Sequence, residues 1–352
     1  MSEQSFLKRR WKLLLNIITV SALLVLIYAI RHQLADTIDN LAKVNVAALL
    51  LIIPVEVLNY HSQAKLYQRL FGLVGNKLKY KFLIKASLEL NFINHVFPSG
   101  GVSGISYFGA RMRSDTITGG KATLVQMMKL ILGFLSFEVL LVAGLLFMAI
   151  GGRVNELMLF VAGSLSTLMI VGTCGFVFII GSQKRINSFF TTFTAGLNRL
   201  IHIVRPNHPE TIKMHRVKGL FEELHSNYKL IESQYKDLRW PLWYAFLMNL
   251  TEVSAVYVVF IAFGHWVNVG SVILAYAVAN FAGLVSVLPG GVGIYEALMT
   301  AVLAAAGVPA GLSLPVIVMY RVVNTLIQLP PGYIYYHRTL NSNSEQSKVE
   351  HE

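Results

Sequence analysis

The chain has 352 residues, of which 55% are hydrophobic and only 14% are charged. Soluble domains carry about 25% charged residues, so this composition excludes an ordinary soluble protein and predicts an integral membrane protein with several spans. A single cysteine, Cys174, excludes a disulfide within the chain. The net charge of +12 does not require a nucleic-acid partner, because topology is the first explanation for excess Lys and Arg in a membrane protein.

Apolar runs long enough to cross a bilayer recur along the chain, given about 20 residues per helical span. The first run follows the basic segment KRRWK and looks superficially like a signal peptide. No small-residue cleavage site follows it, so we interpret it as an uncleaved first span. We predict six full spans, at 13–30, 45–60, 122–150, 157–181, 241–264 and 314–337.

Two further apolar regions, 82–110 and 271–306, are broken in the middle by similar stretches, NFINHVFPSGGVSGISYFG and NFAGLVSVLPGGVGIYEA. Their arms of about 10 to 17 residues are short for a crossing and favour a re-entrant hairpin. Glycine permits a close turn, and proline ends the first arm. Irregular backbone at membrane depth must be buried in protein or line a water-filled cavity. We therefore expect the two Pro-Gly-Gly tips to meet near the middle of the membrane.

The distribution of positive charge supports the hairpins independently of their length. If the N-terminus is cytoplasmic and both broken segments return to the side they came from, 25 of the 30 Lys and Arg residues lie on the cytoplasmic side. This is the positive-inside bias, and a full crossing by the first segment would destroy it, because every later loop would change side. The two units, each reading span, hairpin, span, then have opposite orientations, which is the signature of an inverted-topology repeat.

The predicted fold class is therefore an all-α polytopic membrane protein, with about six full spans and two re-entrant helical hairpins in an inverted-topology repeat. One integral membrane domain covers 1–338, with repeat one at about 45–150 and repeat two at about 241–337. Residues 182–240 form a basic cytoplasmic insert whose apolar residues keep helical spacing, which predicts an amphipathic helical pair. The insert suits either contact with anionic headgroups or a solvated connector. The polar tail 339–352 is predicted to be disordered, and both termini to be cytoplasmic, at the cell membrane.

Ionisable residues inside the spans and hairpins are the candidate functional groups, since a charge near the bilayer centre carries an insertion penalty of about 2.5–3.5 kcal/mol. Arg321 is the first candidate because its guanidinium offers a bidentate fork to phosphate, and Lys129 takes the corresponding position in repeat one. Helix N-termini at the Gly-Gly turns can also hold an anion. The residues selected on these grounds are Arg321, Lys129, Glu296, Glu252, Glu56, Asn91, Asn280, Gly100, Gly101, Gly290 and Gly291.

A purely structural role, as buried ion pairs that fix helix register, is the alternative for these charged residues. Glu296 follows the second tip, where it could pair with either cation or receive a cationic headgroup. The chain shows no metal-ligand spacing such as H-E-x-x-H, and we expect neither a metal nor a cofactor.

The segment LPGGVGIYEALMTAVLAAAGVPAGLSLPVIVMYRVVNTLIQLPPG (288–332) resembles the C-terminal signature of the lysylphosphatidylglycerol synthetase/flippase transmembrane family. PSGGVSGISYFGARM (98–112) is similar to an earlier family segment, and the resemblance covers nearly the whole chain. It implies that Pro289, Gly293 and Tyr320 join the candidate site. Where the family's following span usually begins with a Glu-Arg-like pair, this chain has Lys129.

The resemblance implies a domain that moves aminoacylated phosphatidylglycerol from the inner to the outer leaflet. The soluble aminoacyltransferase domain that follows it in the best-understood members is not expected in this chain. Other relatives lie in pathways for polyprenyl-linked sugars, which leaves the cargo open. We therefore expect a flippase or transporter for an anionic or aminoacylated phospholipid, or for a polyprenyl-phosphate-linked lipid.

Two other function classes stay open at this point. One is a membrane-embedded transferase of the phosphatidylglycerol lysyltransferase or glycosyltransferase type, and the other is an accessory subunit of such an enzyme. No nucleotide-binding motif such as G-x-x-x-x-G-K-[ST] occurs in the chain. The expected partners are the lipid and a separate lipid synthetase or glycosyltransferase, without nucleic acid, and the oligomeric state is open.

Overall fold

The computed structural model describes residues 44–97, 102–113, 117–152, 154–189, 191–192, 214–285 and 293–349, together with a few positions before residue 44. The described residues form helices and connecting turns, with no strand among them. The predicted first span, 13–30, falls almost entirely outside the described residues, and so do the Pro-Gly-Gly turns at 98–101 and 286–292.

Five helical segments are long and apolar enough to cross a membrane, and each overlaps one of the predicted spans. They are Val46–Leu73, Gly119–Ile150, Glu156–Ile180, Tyr235–Ala262 and Ala310–Asn341. The chain is therefore an all-α polytopic membrane protein, as predicted. The first of these segments runs beyond the predicted 45–60, because the polar residues that follow it in sequence are buried inside the bundle.

We number the described helices in chain order. The spans contain α1 (Val46–Leu49), α2 (Ile52–Leu73), α5 (Gly119–Ile150), α6 (Glu156–Ile180), α8 (Arg239–Ala262) and α11 (Ala310–Val349). The shorter helices are α3 (Tyr80–Val96), α4 (Val102–Met112), α7 (Met214–Ser233), α9 (Val269–Val285) and α10 (Ile294–Ala305). A 3₁₀ turn at Tyr235–Leu238 leads into α8.

Helix ends follow local sequence signals. Thr118 and Asn155 accept hydrogen bonds from backbone N–H groups three residues on, and so cap the starts of α5 and α6. Gly75 and Gly264, with φ of +80° and +77°, follow the ends of α2 and α8. Glycine is favoured there because it adopts the left-handed region without a steric penalty.

Each of the two broken regions contains two short helices, and their return to the side they entered from stays a prediction. α3 and α4 have 17 and 11 residues, and α9 and α10 have 17 and 12. These lengths fall below the roughly 20 residues needed for a full crossing. Within each pair the two helices pack against one another. We call α3–α4 the first hairpin and α9–α10 the second hairpin.

The two predicted repeats pack by crossing over one another. α2 of repeat one lies against α8 of repeat two. The first arm of each hairpin packs against the last span of the other repeat, so α3 contacts α11 and α9 contacts α5. A pseudo-two-fold axis that exchanges α2–α5 with α8–α11 would produce this pairing. The opposite orientation of the repeats across the membrane stays a prediction.

Both crossed contacts are close at a glycine. A Cβ built on Gly332 of α11 would lie 2.6 Å from the Cβ of Phe92 on α3. One built on Gly270 of α9 would lie 2.7 Å from the Cγ of Met148 on α5. Small residues let helix backbones approach closely where no hydrophobic effect drives association inside lipid.

α6 lies at the edge of the described bundle, with Phe160 and Phe178 exposed. α7, from the predicted insert, packs against α5 and α6. Glu223 on α7 accepts a hydrogen bond from the Gly120 amide at the start of α5, at 3.2 Å, and the His225 ring lies 2.8 Å from the Ile180 carbonyl at the end of α6. The second helix of the predicted amphipathic pair is thus attached to two span ends. Of the first, residues 183–189 and 191–192 are helical, and 193–213 lie outside the described residues.

α11 continues to Val349, so the structure places residues 339–349 in a helix, where the sequence predicts a disordered tail. The segment after Gly332 contains neither glycine nor proline, so no local signal ends the helix.

Candidate functional site

Polar side chains meet between two apolar clusters of the described bundle. One cluster contains Tyr67 and Leu124, and the other contains Val259 and Ile317. Buried or half-buried polar residues lie between them on α2, α8 and α11, and we call this set the polar layer: Glu56, Asn59, Thr251, Glu252, Asn324 and Gln328. Because it lies along the middle of three spans, the polar layer is the candidate site at membrane depth.

Glu252 of α8 is the centre of the polar layer. Asn59 of α2 donates to its Oε1 at 3.1 Å. The hydroxyls of Tyr276 on α9 and Tyr320 on α11 donate to its Oε2 at 3.2 and 3.3 Å. Asn59 also donates to Thr251 Oγ1, at 2.9 Å. One carboxylate thus ties together elements from both predicted repeats.

A chain of side chains on α11 connects this carboxylate to Glu56. Asn324 donates to the Tyr320 hydroxyl at 3.4 Å, and Gln328 donates to Asn324 Oδ1 at 3.0 Å. Gln328 also donates to Glu56 Oε2 at 3.0 Å. The other oxygens of these two side chains, Glu56 Oε1 and Gln328 Oε1, are buried without a hydrogen-bond partner.

Arg321 is held by an ion pair at the start of α10. Its Nη1 lies 2.5 Å from Glu296 Oε1, and its guanidinium carbon lies 4.9 Å from the centre of the Tyr295 ring. The second oxygen, Glu296 Oε2, accepts from the Gly293 amide at 2.7 Å. Glu296 therefore caps the second arm of the second hairpin and neutralises Arg321 at the same time.

Lys129 of α5 has a different environment. Its Nζ lies 5.2 Å from the centre of the Tyr67 ring, a cation–π contact. Tyr67 in turn donates to Gln126 at 2.9 Å. Within the part of the chain that the structure describes, no carboxylate lies within 4 Å of Lys129 Nζ. Glu252 is near enough to interact with it electrostatically.

Asn91 of α3 and Asn280 of α9, on the first arms of the two hairpins, lie at the rim of the polar layer. Asn91 donates to the Tyr60 hydroxyl at 3.2 Å, and the ring of His95 lies 2.8 Å from the Asn91 carbonyl. Asn280 donates to the Tyr276 carbonyl at 3.0 Å. Both helix arms therefore present polar groups next to the polar layer, without a direct bond from either asparagine to Glu252 or Glu56 in the described contacts.

Two other carboxylates, on α3 and α5, lie apart from the polar layer. Glu89 joins the arms of the first hairpin, accepting from Arg111 and Tyr107 at 2.7 Å each, and it also accepts from Thr339. Glu138 of α5 accepts from Ser166 of α6. Among the described residues, no group of three or more His, Cys, Asp or Glu side chains is arranged to hold a metal ion.

The structure brings together Glu56, Glu252 and Tyr320, and places Lys129 and the Arg321–Glu296 pair around them. The predicted turn residues Gly100, Gly101, Pro289, Gly290 and Gly291 lie outside the described residues, so their part in the site stays a prediction.

Several members of the cluster are not among the predicted site residues. They include Asn59, Tyr67, Thr251 and Tyr276. Asn59 and Tyr276 donate to Glu252, Thr251 accepts from Asn59, and Tyr67 donates to Gln126. A signal for part of this set exists in α2, where Glu56, Asn59, Tyr60, Gln63 and Tyr67 recur at helical spacing. Residues three and four apart share one helix face, so this stripe marks a polar face inside a span.

Comparison with known proteins supports a family assignment. Residues 13–332 match the family described as the lysylphosphatidylglycerol synthase TM region. Similar proteins include two UPF0104 membrane proteins of Methanothermobacter thermautotrophicus, 33% identical over 86 residues and 26% identical over 120 residues. These matches span 24% and 34% of this chain, and only 26% and 35% of the two relatives. Since the family match covers both predicted repeats and the site between them, the chain belongs to the lysylphosphatidylglycerol synthase transmembrane family.

Proposed function

We propose that this protein moves a lipid with a phosphate-bearing headgroup between the two leaflets of the membrane. The observation that carries the proposal is the polar layer, with Lys129 and Arg321 beside it, at the contact between the two predicted repeats. Ionisable groups at this depth are expensive and mark substrate pathways. In transporters built from inverted repeats, the substrate site lies near the midplane at the repeat interface.

The two cations suggest how a phosphate would be held. Lys129 interacts electrostatically with Glu252, but among the described residues no carboxylate lies at ion-pair distance from it. Its ammonium N–H groups can therefore donate to a phosphate. Arg321 is paired with Glu296, and a phosphate would compete with that carboxylate for the guanidinium. We therefore place the phosphate between Lys129 and Arg321, with Lys129 as the primary contact.

Aminoacylated cargo would add a positive charge to the headgroup. Glu252, with Tyr276 and Tyr320 beside it, offers a carboxylate and aromatic rings to such an ammonium group. The acyl chains would remain in the lipid while the headgroup crosses between the hairpins. Movement of the hairpins against the spans would open the site alternately to each leaflet.

The test is leaflet exchange in vesicles of phosphatidylcholine that contain purified protein. Fluorescent phosphatidylglycerol, its lysyl form and a polyprenyl phosphate are compared, with a membrane-impermeant quencher reporting the fraction in the outer leaflet. We expect protein-dependent exchange that Lys129→Met reduces about tenfold or more, as the loss of one charge-assisted contact in a low-dielectric site implies.

The matched control is Lys229→Met, since Lys229 lies on the surface of α7 and pairs with Glu232 at 2.6 Å. It should leave exchange unchanged. Folded protein that exchanges none of the three lipids would overturn the proposal. If the same preparation formed an aminoacyl or glycosyl lipid from a supplied donor, the chain would instead be a transferase.

A further inference from the structure

We propose that Glu56 and Glu252 form a binding site for one small monovalent cation, a proton or Na⁺, whose occupancy is coupled to lipid movement. The inference rests on the proposed function for its coupling step alone. The site itself follows from the hydrogen bonds and charges of α2, α8 and α11.

Two buried oxygens lack a hydrogen-bond donor where Gln328 meets Glu56. Both N–H groups of the Gln328 amide are used, one on Glu56 Oε2 and one on Asn324 Oδ1. Gln328 Oε1 and Glu56 Oε1 are then left buried with no donor, and the two residues are only 3% and 1% exposed. Buried acceptors without a donor are rare in folded proteins. A proton on Glu56 or a bound cation would satisfy both oxygens, because they belong to adjacent side chains.

Negative charge exceeds positive charge among the described groups around the Glu56 and Glu252 carboxylates. Glu56 and Glu252 interact electrostatically, and both face the same interior. Among the described residues, the other titratable groups that interact with them are Tyr60 on α2, Lys129 on α5, Tyr276 on α9, Tyr295 on α10 and Tyr320 on α11. The Arg321–Glu296 ion pair beside them adds no net charge. Lys129 supplies one positive charge against two carboxylates. With neutral tyrosines the group is one negative charge in excess, so it has room for a single cation.

The two carboxylates accept different numbers of hydrogen bonds from the surrounding amides and hydroxyls. Glu252 receives three hydrogen bonds, from Asn59, Tyr276 and Tyr320, and these stabilise its charged form. Glu56 receives one, from Gln328. Glu56 is therefore the oxygen donor that gains most from a bound cation, and Glu252 is the fixed negative charge beside it.

Coupling follows from Lys129, which is shared between Glu252 and the proposed phosphate site. When an anionic headgroup engages the ammonium group, less of its charge balances the carboxylates, and cation binding at Glu56 becomes more favourable. By linkage, the cation favours headgroup binding to the same extent. One cation would thus travel with one anionic lipid, and a cation gradient would drive the lipid.

The binding site can be tested without any transport. The apparent unfolding temperature of purified protein in detergent micelles is measured against Na⁺ concentration at constant ionic strength, and against pH without Na⁺. A cation that binds the folded protein raises its stability with the logarithm of concentration. Wild type should show this rise in one of the two series, and Glu56→Gln should remove it. Glu252→Gln is the second variant, with the same expected loss.

The matched control is Glu138→Gln, at a half-buried carboxylate on α5 that accepts a hydrogen bond from Ser166 of α6 and lies outside the polar layer. It should keep the wild-type response. A rise with Na⁺ identifies Na⁺ as the ligand, and a response confined to pH identifies the proton. If neither series separates wild type from Glu56→Gln, or if Glu138→Gln loses the response as well, the site is overturned.

Coupling is then measured in the vesicle exchange assay, using labelled phosphatidylglycerol and an imposed tenfold gradient of the cation identified. One-to-one coupling predicts an asymmetry between leaflets approaching about tenfold in wild type. Whatever exchange Glu56→Gln retains should be symmetrical between the two leaflets. Cation-dependent stability without any exchange would leave the site intact and overturn the proposed function. Exchange that stays symmetrical under the gradient would overturn the coupling and leave the proposed function intact.

Discussion

The Arg321–Glu296 ion pair joins α11 to the first turn of α10, and Glu296 is only 4% exposed. Removing one partner leaves an uncompensated charge in a medium that solvates it poorly. We expect Arg321→Met to lower stability by about 3–5 kcal/mol. The double variant Arg321→Met with Glu296→Gln should lose less than the sum of the two single variants. Unfolding of all four proteins in detergent micelles gives the coupling energy.

The exposed pair Lys229–Glu232 on α7 provides the reference cycle, with an expected coupling of about 0–1 kcal/mol. Equal coupling energies for the two pairs would contradict a structural role for the buried pair. Lipid exchange by the double variant separates the two roles of Arg321, since a folded double variant that exchanges no lipid points to cargo binding.

Gly293 precedes α10 with φ of +89°, and its amide donates to Glu296. A side chain at this position meets the left-handed penalty, so Gly293→Ala should lower stability by about 1–2 kcal/mol. Gly311→Ala is the control, since Gly311 has no positive φ and nothing lies within 4 Å of its added Cβ. Thermal unfolding of both variants checks this, and an unchanged Gly293→Ala protein would mean that the turn adopts another conformation in the membrane.

At this scale the sequence predicts residue types better than partners. Glu56, Glu252 and Lys129 stand out because charge inside an apolar run is conspicuous. The sequence does not single out Glu296 as the partner of Arg321, because Glu296 lies 25 residues away on another helix. Tyr276 and Asn59 are not predicted as site residues, because a single uncharged polar residue in a span has too many structural explanations.

At the scale of elements, the crossed packing of α9 on α5 depends on Gly270. An added Cβ would lie 2.7 Å from Met148 Cγ and 2.9 Å from the carbonyl carbon of Gly144. Because part of that obstruction is backbone, we expect Gly270→Ala to lower stability by about 1–3 kcal/mol. Gly163→Ala on α6, where nothing lies within 4 Å, should be neutral or stabilising by up to about 1 kcal/mol. Unfolding temperatures that rank the two variants in the opposite order would contradict the crossed contact.

Element types are well predicted here because spans and half-length arms differ in length, and length is visible in sequence. Boundaries are less visible. Residues 61–73 look too polar for a span, yet they continue α2, since Ser62 and Gln63 face the protein interior. Residues 339–349 carry no breaker and continue α11. The first boundary depends on tertiary packing and the second on a missing stop signal, and the polarity of the residues predicts neither.

At the scale of the whole molecule, two apolar clusters flank the polar layer, and the two predicted repeats share it. Glu252 and Tyr320 come from one repeat, and Glu56 and Asn59 from the other. A site built in this way changes whenever the repeats move against each other. The sequence predicts that the repeats are inverted, and that statement is open to direct measurement.

Cysteine accessibility measures it, because the chain has one native cysteine, Cys174, which can be replaced by serine. Single cysteines are placed at the exposed positions that flank each hairpin: Lys77, Arg113, His265 and Ala310. A membrane-impermeant maleimide is applied to intact cells and to inverted vesicles. Positive-inside topology predicts that the first two react only from the cytoplasmic side and the last two only from the opposite side.

Each hairpin carries its own internal control in this experiment, since the two flanks must react from the same face if the helix pair returns. Flanks that react from opposite faces would show a full crossing, and every later loop would then change side. A full crossing by the first hairpin would place the basic insert between α6 and α8 outside the cell, and the positive-inside bias would collapse. Opposite faces for the two hairpins, with matching flanks in each, would establish the inversion that alternating access to a shared central site requires.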